Sequence, residues 1–122
     1  MPFDVTVTRT TRFVRYNVAG PTSLKHFSEL IIFMAADTAH FEDAKVLVDV
    51  TAVEGRLTIT EQLLVGEMGA LKLPYVFKIA SLVPPGEITR NTERAAAKKG
   101  MDGRVFDSEE EALAWLLAPD RF

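Results

Sequence analysis

Lys45-Val46-Leu47-Val48-Asp49-Val50 is the stretch that decides the fold. A strand with one wet face alternates apolar and polar residues. Here Val46, Leu47 and Val48 are apolar in succession. Such a run fits a strand covered on both faces, as the central strands of parallel sheets are. Its valines favour an extended backbone, where branched side chains pack well.

Downstream, residues 51–57 read as a loop with Gly55 as its breaker. Thr58-Ile59-Thr60-Glu61 then matches a capping box, in which Thr58 and Glu61 satisfy each other's free amides. The helix it opens carries Leu64, Met68 and Leu71 on one stripe and ends at Pro74. Gly66 and Gly69 lie inside it, each costing about 1 kcal/mol relative to Ala. They are expected to mark close approach to the sheet or another helix. Residues 75–83 form another apolar strand, stopped by Pro84-Pro85-Gly86. An Ala-rich helix over 87–99 closes at Gly100. Arg104-Val105-Phe106 is a short strand, and Ser108-Glu109-Glu110-Glu111 is a second capping box. The last helix is expected to bury Ala112, Trp115 and Leu116.

Upstream, Phe3, Val5 and Val7 alternate with Asp4, Thr6 and Thr8, the period of a half-buried strand. After the polar break at Arg9-Thr10-Thr11-Arg12, residues 13–18 read as a second strand with Val14, Tyr16 and Val18 on one face. The short connection predicts an antiparallel hairpin. Ala19-Gly20-Pro21 ends it. Thr22 or Ser23 caps a helix whose stripe is Leu24, Phe27, Leu30, Ile31 and Met34, fading over 36–40. The order β-β-α-β-α-β-α-β-α predicts one α/β domain over 1–122. It has about five strands: an antiparallel N-terminal hairpin, then parallel strands joined by right-handed crossovers, with four helices.

The 122 residues suffice for one domain with a real core. Hydrophobic residues make up 48% and charged residues 25%, a globular balance. No run reaches the roughly 20 apolar residues that span a bilayer. Met1-Pro2-Phe3-Asp4 has no basic region ahead of an apolar stretch, so no signal peptide is expected. A cytoplasmic location follows as the default. The net charge of −3 gives no bulk attraction to nucleic acid, and none is expected as a partner. Cysteine is absent, which removes disulfides, thiolate metal sites and cysteine nucleophiles. His26 and His40 are the only histidines and lack metal-ligand spacing. No metal and no cofactor is expected.

The element order and the terminal run Arg104-Val105-Phe106-Asp107-Ser108-Glu109-Glu110-Glu111-Ala112-Leu113-Ala114-Trp115-Leu116 together resemble the bacterial SpoIIAA-like proteins. That group is related to STAS domains and to the Sec14 (CRAL-TRIO) fold. The resemblance covers nearly the whole chain in element order, and its specific part is the terminal stretch. It implies a non-enzymatic role. In STAS domains that role is regulation by protein–protein contact; in Sec14-like relatives it is apolar-ligand binding or contact with a membrane surface. STAS antagonists carry an Asp-Ser-Ser-Gly motif with a phosphorylated serine at the start of the helix after the central strand. This chain has Leu57-Thr58-Ile59-Thr60 there instead.

If the later strands are parallel, their C-terminal ends share one edge, where ligands of open α/β sheets bind. The candidate binding or regulatory loop is therefore Asp49, Thr51, Glu54, Arg56, Thr58 and Thr60. Asp49 has the place of a phosphoacceptor aspartate, but the acidic metal pocket and the lysine such chemistry needs are missing. The simpler reading is that it accepts hydrogen bonds from the following loop. Thr58 and Thr60 offer hydroxyls for phosphorylation at a helix N-terminus, or serve as a cap and an exposed first-turn residue. Arg90, Arg94 and Lys98 recur every four residues and form a candidate anion-facing stripe, or a solvated face paired with Glu87 and Glu93. Met34, Leu64, Met68 and Leu71 are the candidate lining for an apolar ligand, or core. No acid, base and nucleophile converge. The expected function is a non-catalytic binding or regulatory module acting on an unknown protein partner. The alternative is a small apolar-ligand or lipid-binding protein. A homodimer is expected, because four amphipathic helices on a small sheet leave apolar area to cover.

Overall fold

The structure, a computed structural model, describes residues 3–40 and 44–119. Met1 and Pro2, part of the leader reading, lie outside them. Strands β1 (Asp4–Arg9), β2 (Val14–Pro21), β3 (Ala44–Glu54), β4 (Val76–Leu82) and β5 (Asp102–Phe106) form one sheet in that order. β1 pairs antiparallel with β2, and every later pair is parallel. Helices α1 (Leu24–Thr38), α2 (Ile59–Lys72), α3 (Asn91–Lys98) and α4 (Glu109–Leu116) complete the fold. This is the expected hairpin followed by parallel strands.

The hairpin forms where the sequence breaks. Thr10 donates its hydroxyl to Phe13 O at 3.1 Å and accepts from Phe13 N at 3.0 Å, closing the turn. β3 lies mid-sheet, and Val46, Leu47 and Val48 are buried on alternating faces. On one face Val14, Tyr16, Val18, Val46 and Val48 meet Leu30, Ile31 and Met34 of α1. Helices α1, α2 and α3 follow one another across this face. On the other face α4 covers Leu47, Ala80 and Leu82 with Ala112 and Leu116, and Phe13 and Phe106 pack at the edge of this cluster. Tyr16 is fully buried and donates to Asp37, which also pairs with Arg9, so one carboxylate ties β1, β2 and α1 together. Burial, and then Asp37, pushes the Tyr16 hydroxyl well above the ordinary phenol range.

Three expectations are corrected. β3 does not end at Val50. It runs to Glu54 because β2 itself continues to Pro21 and offers Ala19, Gly20 and Pro21 as pairing partners. α3 begins at Asn91, not at Glu87. Gly86 takes a φ of 79°, and Glu87 N bonds back to Pro84 O, so residues 87–90 are not helical. Finally, the buried face of α2 is the glycine face. A Cβ on Gly66 would lie 2.4 Å from Thr92 O and 2.9 Å from Ala95 Cβ of α3. The bare backbone lets the two helices touch.

Candidate functional site

The C-terminal halves of the parallel strands open onto a cleft of about 230 Å³ between the sheet and its three-helix face. Its walls are apolar: Phe27, Leu30, Met34, Val50, Val65 and Ile79 are among them. They come from α1, α2, β3 and β4, so the cleft exists only because three helices meet over the strand ends. This is the edge where open α/β sheets place ligands.

The mouth is polar and lies on the loops after β3 and β4. Gly55 (φ 85°) and Gly86 (φ 79°) each turn the chain in the left-handed region that glycine tolerates best. The residues that follow them, Arg56 and Glu87, meet across the opening with Nη2 and Oε1 2.7 Å apart. Gln62 anchors one rim. Its Nε2 donates to Leu57 O at 3.0 Å, and its Oε1 accepts from Thr89 Oγ1 at 2.8 Å and Asn91 Nδ2 at 3.0 Å. One side chain thus ties the start of α2 to the segment that leads into α3.

The six loop residues singled out in the sequence do not form one site. Arg56 lines the cleft. Asp49 belongs to the α4 face instead. Between Asp49 and Ala52, β3 carries one residue more than β2, a bulge that disturbs the ladder. The Thr51 amide and hydroxyl both donate to Asp49 Oδ1, at 2.9 and 2.6 Å, so Asp49 holds the bulge shut. Its Oδ2 pairs with Arg15 Nη2 at 2.8 Å, and Arg15 Nη1 reaches Glu109 Oε1 at 2.5 Å. The sheet is thereby tied to the first turn of α4. Thr58 caps α2 by accepting from Glu61 N, and Glu61 returns the bond, completing the capping box. Thr60 is exposed in the first turn, and Glu54 is exposed at the end of β3.

Burial pushes the Asp49 carboxyl up, but the bonds from Thr51 and then Arg15 outweigh it and hold it below the usual carboxylate range. A depressed folded value means stability that is present above the unfolded pKa and lost as pH falls through the folded one. Asp49→Asn is therefore expected to cost about 2 kcal/mol at neutral pH, the size of hydrogen bonds to a charged group. The gap to wild type should begin to shrink as pH falls past about 4, the ordinary carboxyl value of the unfolded chain, and close only at the lower pH where the folded carboxylate itself protonates. Urea melts of both proteins at neutral and acid pH read it directly. A gap that stays constant would rule out the charged role.

The remaining candidates scatter. Arg90 precedes α3, pairing with Glu93 at 2.6 Å and donating to Val105 O at 3.2 Å. Arg94 and Lys98 are exposed on α3 itself, so the stripe loses its first member to the strand edge. Met34 lines the cleft, but Leu64, Met68 and Leu71 do not. Met68 packs on the core, and Val65 takes the lining place expected of its neighbours. Leu64 and Leu71 face outward, at 42% and 68% exposed, beside Ile59 at 65% and Leu63 at 40%. A surface helix normally turns charge and polarity to water; α2 turns four large apolar side chains there, beside the exposed polar residues Thr60, Glu67 and Lys72. Among the described residues no cluster of three or more His, Asp or Glu could hold a metal ion. No described helix is long and apolar enough to cross a membrane.

No family model and no curated protein matches the sequence. Solved structures do match the fold. One is an uncharacterized protein of the DUF3478 family with a SpoIIAA-like fold from Shewanella loihica PV-4, at a TM-score of 0.59 and 15% identity over 93% of each chain. Another is an anti-sigma factor antagonist from Mycobacterium paratuberculosis, at a TM-score of 0.52 and 15% identity, again over 93% of each chain. The chain has a SpoIIAA-like α/β fold.

Proposed function

We propose that the chain is a non-catalytic, cytoplasmic binding module that acts through protein–protein contact, and that α2 with the loop before it is the contact element. The outward apolar face of α2 carries this reading. Ile59, Leu63, Leu64 and Leu71 lie on one side of one helix, and an exposed apolar patch rimmed by polar residues marks an interaction surface. The shared fold with an anti-sigma factor antagonist supports the same role. Thr60, exposed in the first turn, is the residue at which a phosphate would change that surface.

Leu64→Glu with Leu71→Glu tests it. Both side chains are exposed, so the fold should stand and the melting midpoint should move little. Immobilised wild type should retain a partner from host lysate that the double variant releases, by about tenfold or more in affinity if both residues sit at the centre of the contact. Light scattering of the two proteins reads the other occupant of the face, a second copy of the chain. A wild type that is monomeric and captures nothing removes the proposal.

A second reading rests on the cleft. Its apolar walls and polar mouth suit a small apolar ligand, as in Sec14-like domains.

A further inference from the structure

The Arg56–Glu87 pair stands at the mouth of an apolar cleft. It joins two loops, each at a residue directly after a glycine with φ near 80°. Both side chains are substantially exposed, at 66% and 36%. An exposed ion pair contributes little to stability. Opening it is therefore cheap.

The two carboxylates that line the cleft are not equivalent. Glu93 is committed, accepting from Arg90 Nη1 and from Val105 N. Among the described residues, the Glu87 carboxylate is held by one side-chain bond, from Arg56 Nη2. On the arginine side, a guanidinium presents five donors, and a carboxylate binds it best in a two-pronged fork. An incoming carboxylate can take that fork in place of Glu87.

Size narrows the tail. A dry apolar cavity of about 150 Å³ holds a six-carbon ring, so a cleft about half as large again holds a chain of roughly eight to ten carbons. We propose that the cleft binds a medium-chain aliphatic carboxylate, its tail among Phe27, Leu30, Val65 and Ile79 and its headgroup on Arg56, with Glu87 as the resident carboxylate that the ligand displaces. This rests on the cleft being a ligand site and adds which ligand and which residue selects it.

Calorimetric titration of the full chain with decanoate, 1-decanol and decylamine, each below its aggregation limit, tests it. Decanoate should bind about tenfold tighter than decanol, the margin of a charge-assisted hydrogen bond over a neutral one. Arg56→Gln should erase that margin and leave decanol binding unchanged. Glu87→Gln should raise decanoate affinity by a few fold, because the competitor for Arg56 is weakened. Both substitutions are at exposed side chains, and thermal melts confirm that the variants are folded. Failure of all three compounds to bind overturns the cleft as a ligand site. Equal binding of decanoate and decanol, or an Arg56→Gln variant that keeps the preference, overturns the carboxylate assignment alone. Tighter binding of decylamine reverses the sign and assigns the headgroup to Glu87 instead.

Discussion

Gly66→Val should destabilise the fold by about 3 kcal/mol or more, at the upper end of what overpacking a close contact costs. The position has no room. A Cβ there would sit 2.4 Å from Thr92 O, 2.9 Å from Ala95 Cβ and 3.2 Å from Ala96 N. Two of these are backbone atoms of α3 or its first turn, which cannot swing aside as a long side chain would. α2 and α3 would have to separate, opening the wall of the cleft between them. Gly69→Ala, one turn along the same helix, should do the reverse. Its nearest neighbour would be Met101 Sδ at 3.9 Å, an ordinary contact with a flexible side chain. The gain is then the helix propensity of Ala over Gly, about 1 kcal/mol. Chemical denaturation of the two variants should give opposite signs. A Gly66→Val protein as stable as wild type would mean that the helices are not in contact at this point.

That pair of glycines separates what local sequence pattern dictates in this fold from what tertiary contact dictates. Strong local patterns were legible. The unbroken run at Val46–Val48 sits mid-sheet, the capping box at Thr58 and Glu61 forms, and the hairpin turns at Thr10. Hydrophobic patterning alone points α2 the wrong way, although its sequence holds the information that orients it. Gly66 and Leu64 are two residues apart, as are Gly69 and Leu71. At about 3.6 residues per turn, residues two apart point to opposite sides of a helix. Glycines read as close-approach points and leucines read as lining cannot both face inward. Hydrophobicity favoured the leucines, and backbone proximity decided for the glycines. The cleft was legible only as an edge of the sheet. Its walls come from residues as distant in sequence as Phe27 and Met101, brought together by topology and not by any local pattern. Asp49 was placed near the functional edge by its position in β3, yet strand alternation puts its side chain with Leu47, on the α4 face.

That second face is the thinner one, and Leu116→Ala should expose the difference. α4 has eight residues, fewer than the roughly 12 that an isolated helix needs to persist in water. It is helical because it is docked. Ser108 caps it by accepting from Glu111 N at 3.3 Å, and Arg15 reaches Glu109 from the sheet. The apolar contact itself is small: Ala112 and Leu116, both fully buried, lie on Leu47, Ala80 and Leu82. Removing Leu116 takes away the largest fully buried side chain of α4, at a cost of about 3 kcal/mol for the lost burial and the cavity left behind. The single tryptophan reports on the event. Trp115 precedes Leu116 in α4, packs on Phe106 with ring centroids 5.7 Å apart, and has Lys78 Nζ 4.8 Å from its ring centre. In wild type its fluorescence and the far-UV dichroism should fall together, as they do when a small domain unfolds in one step. In Leu116→Ala both transitions should move to lower denaturant, and the tryptophan signal in the absence of denaturant should already shift toward that of a solvated indole. The sheet's other face keeps its larger core, so dichroism should change little before the main transition. A loss below about 1 kcal/mol, well short of a buried leucine's usual worth, would mean that α4 is held by Ser108, Arg15 and Glu109 and that its apolar stripe is incidental.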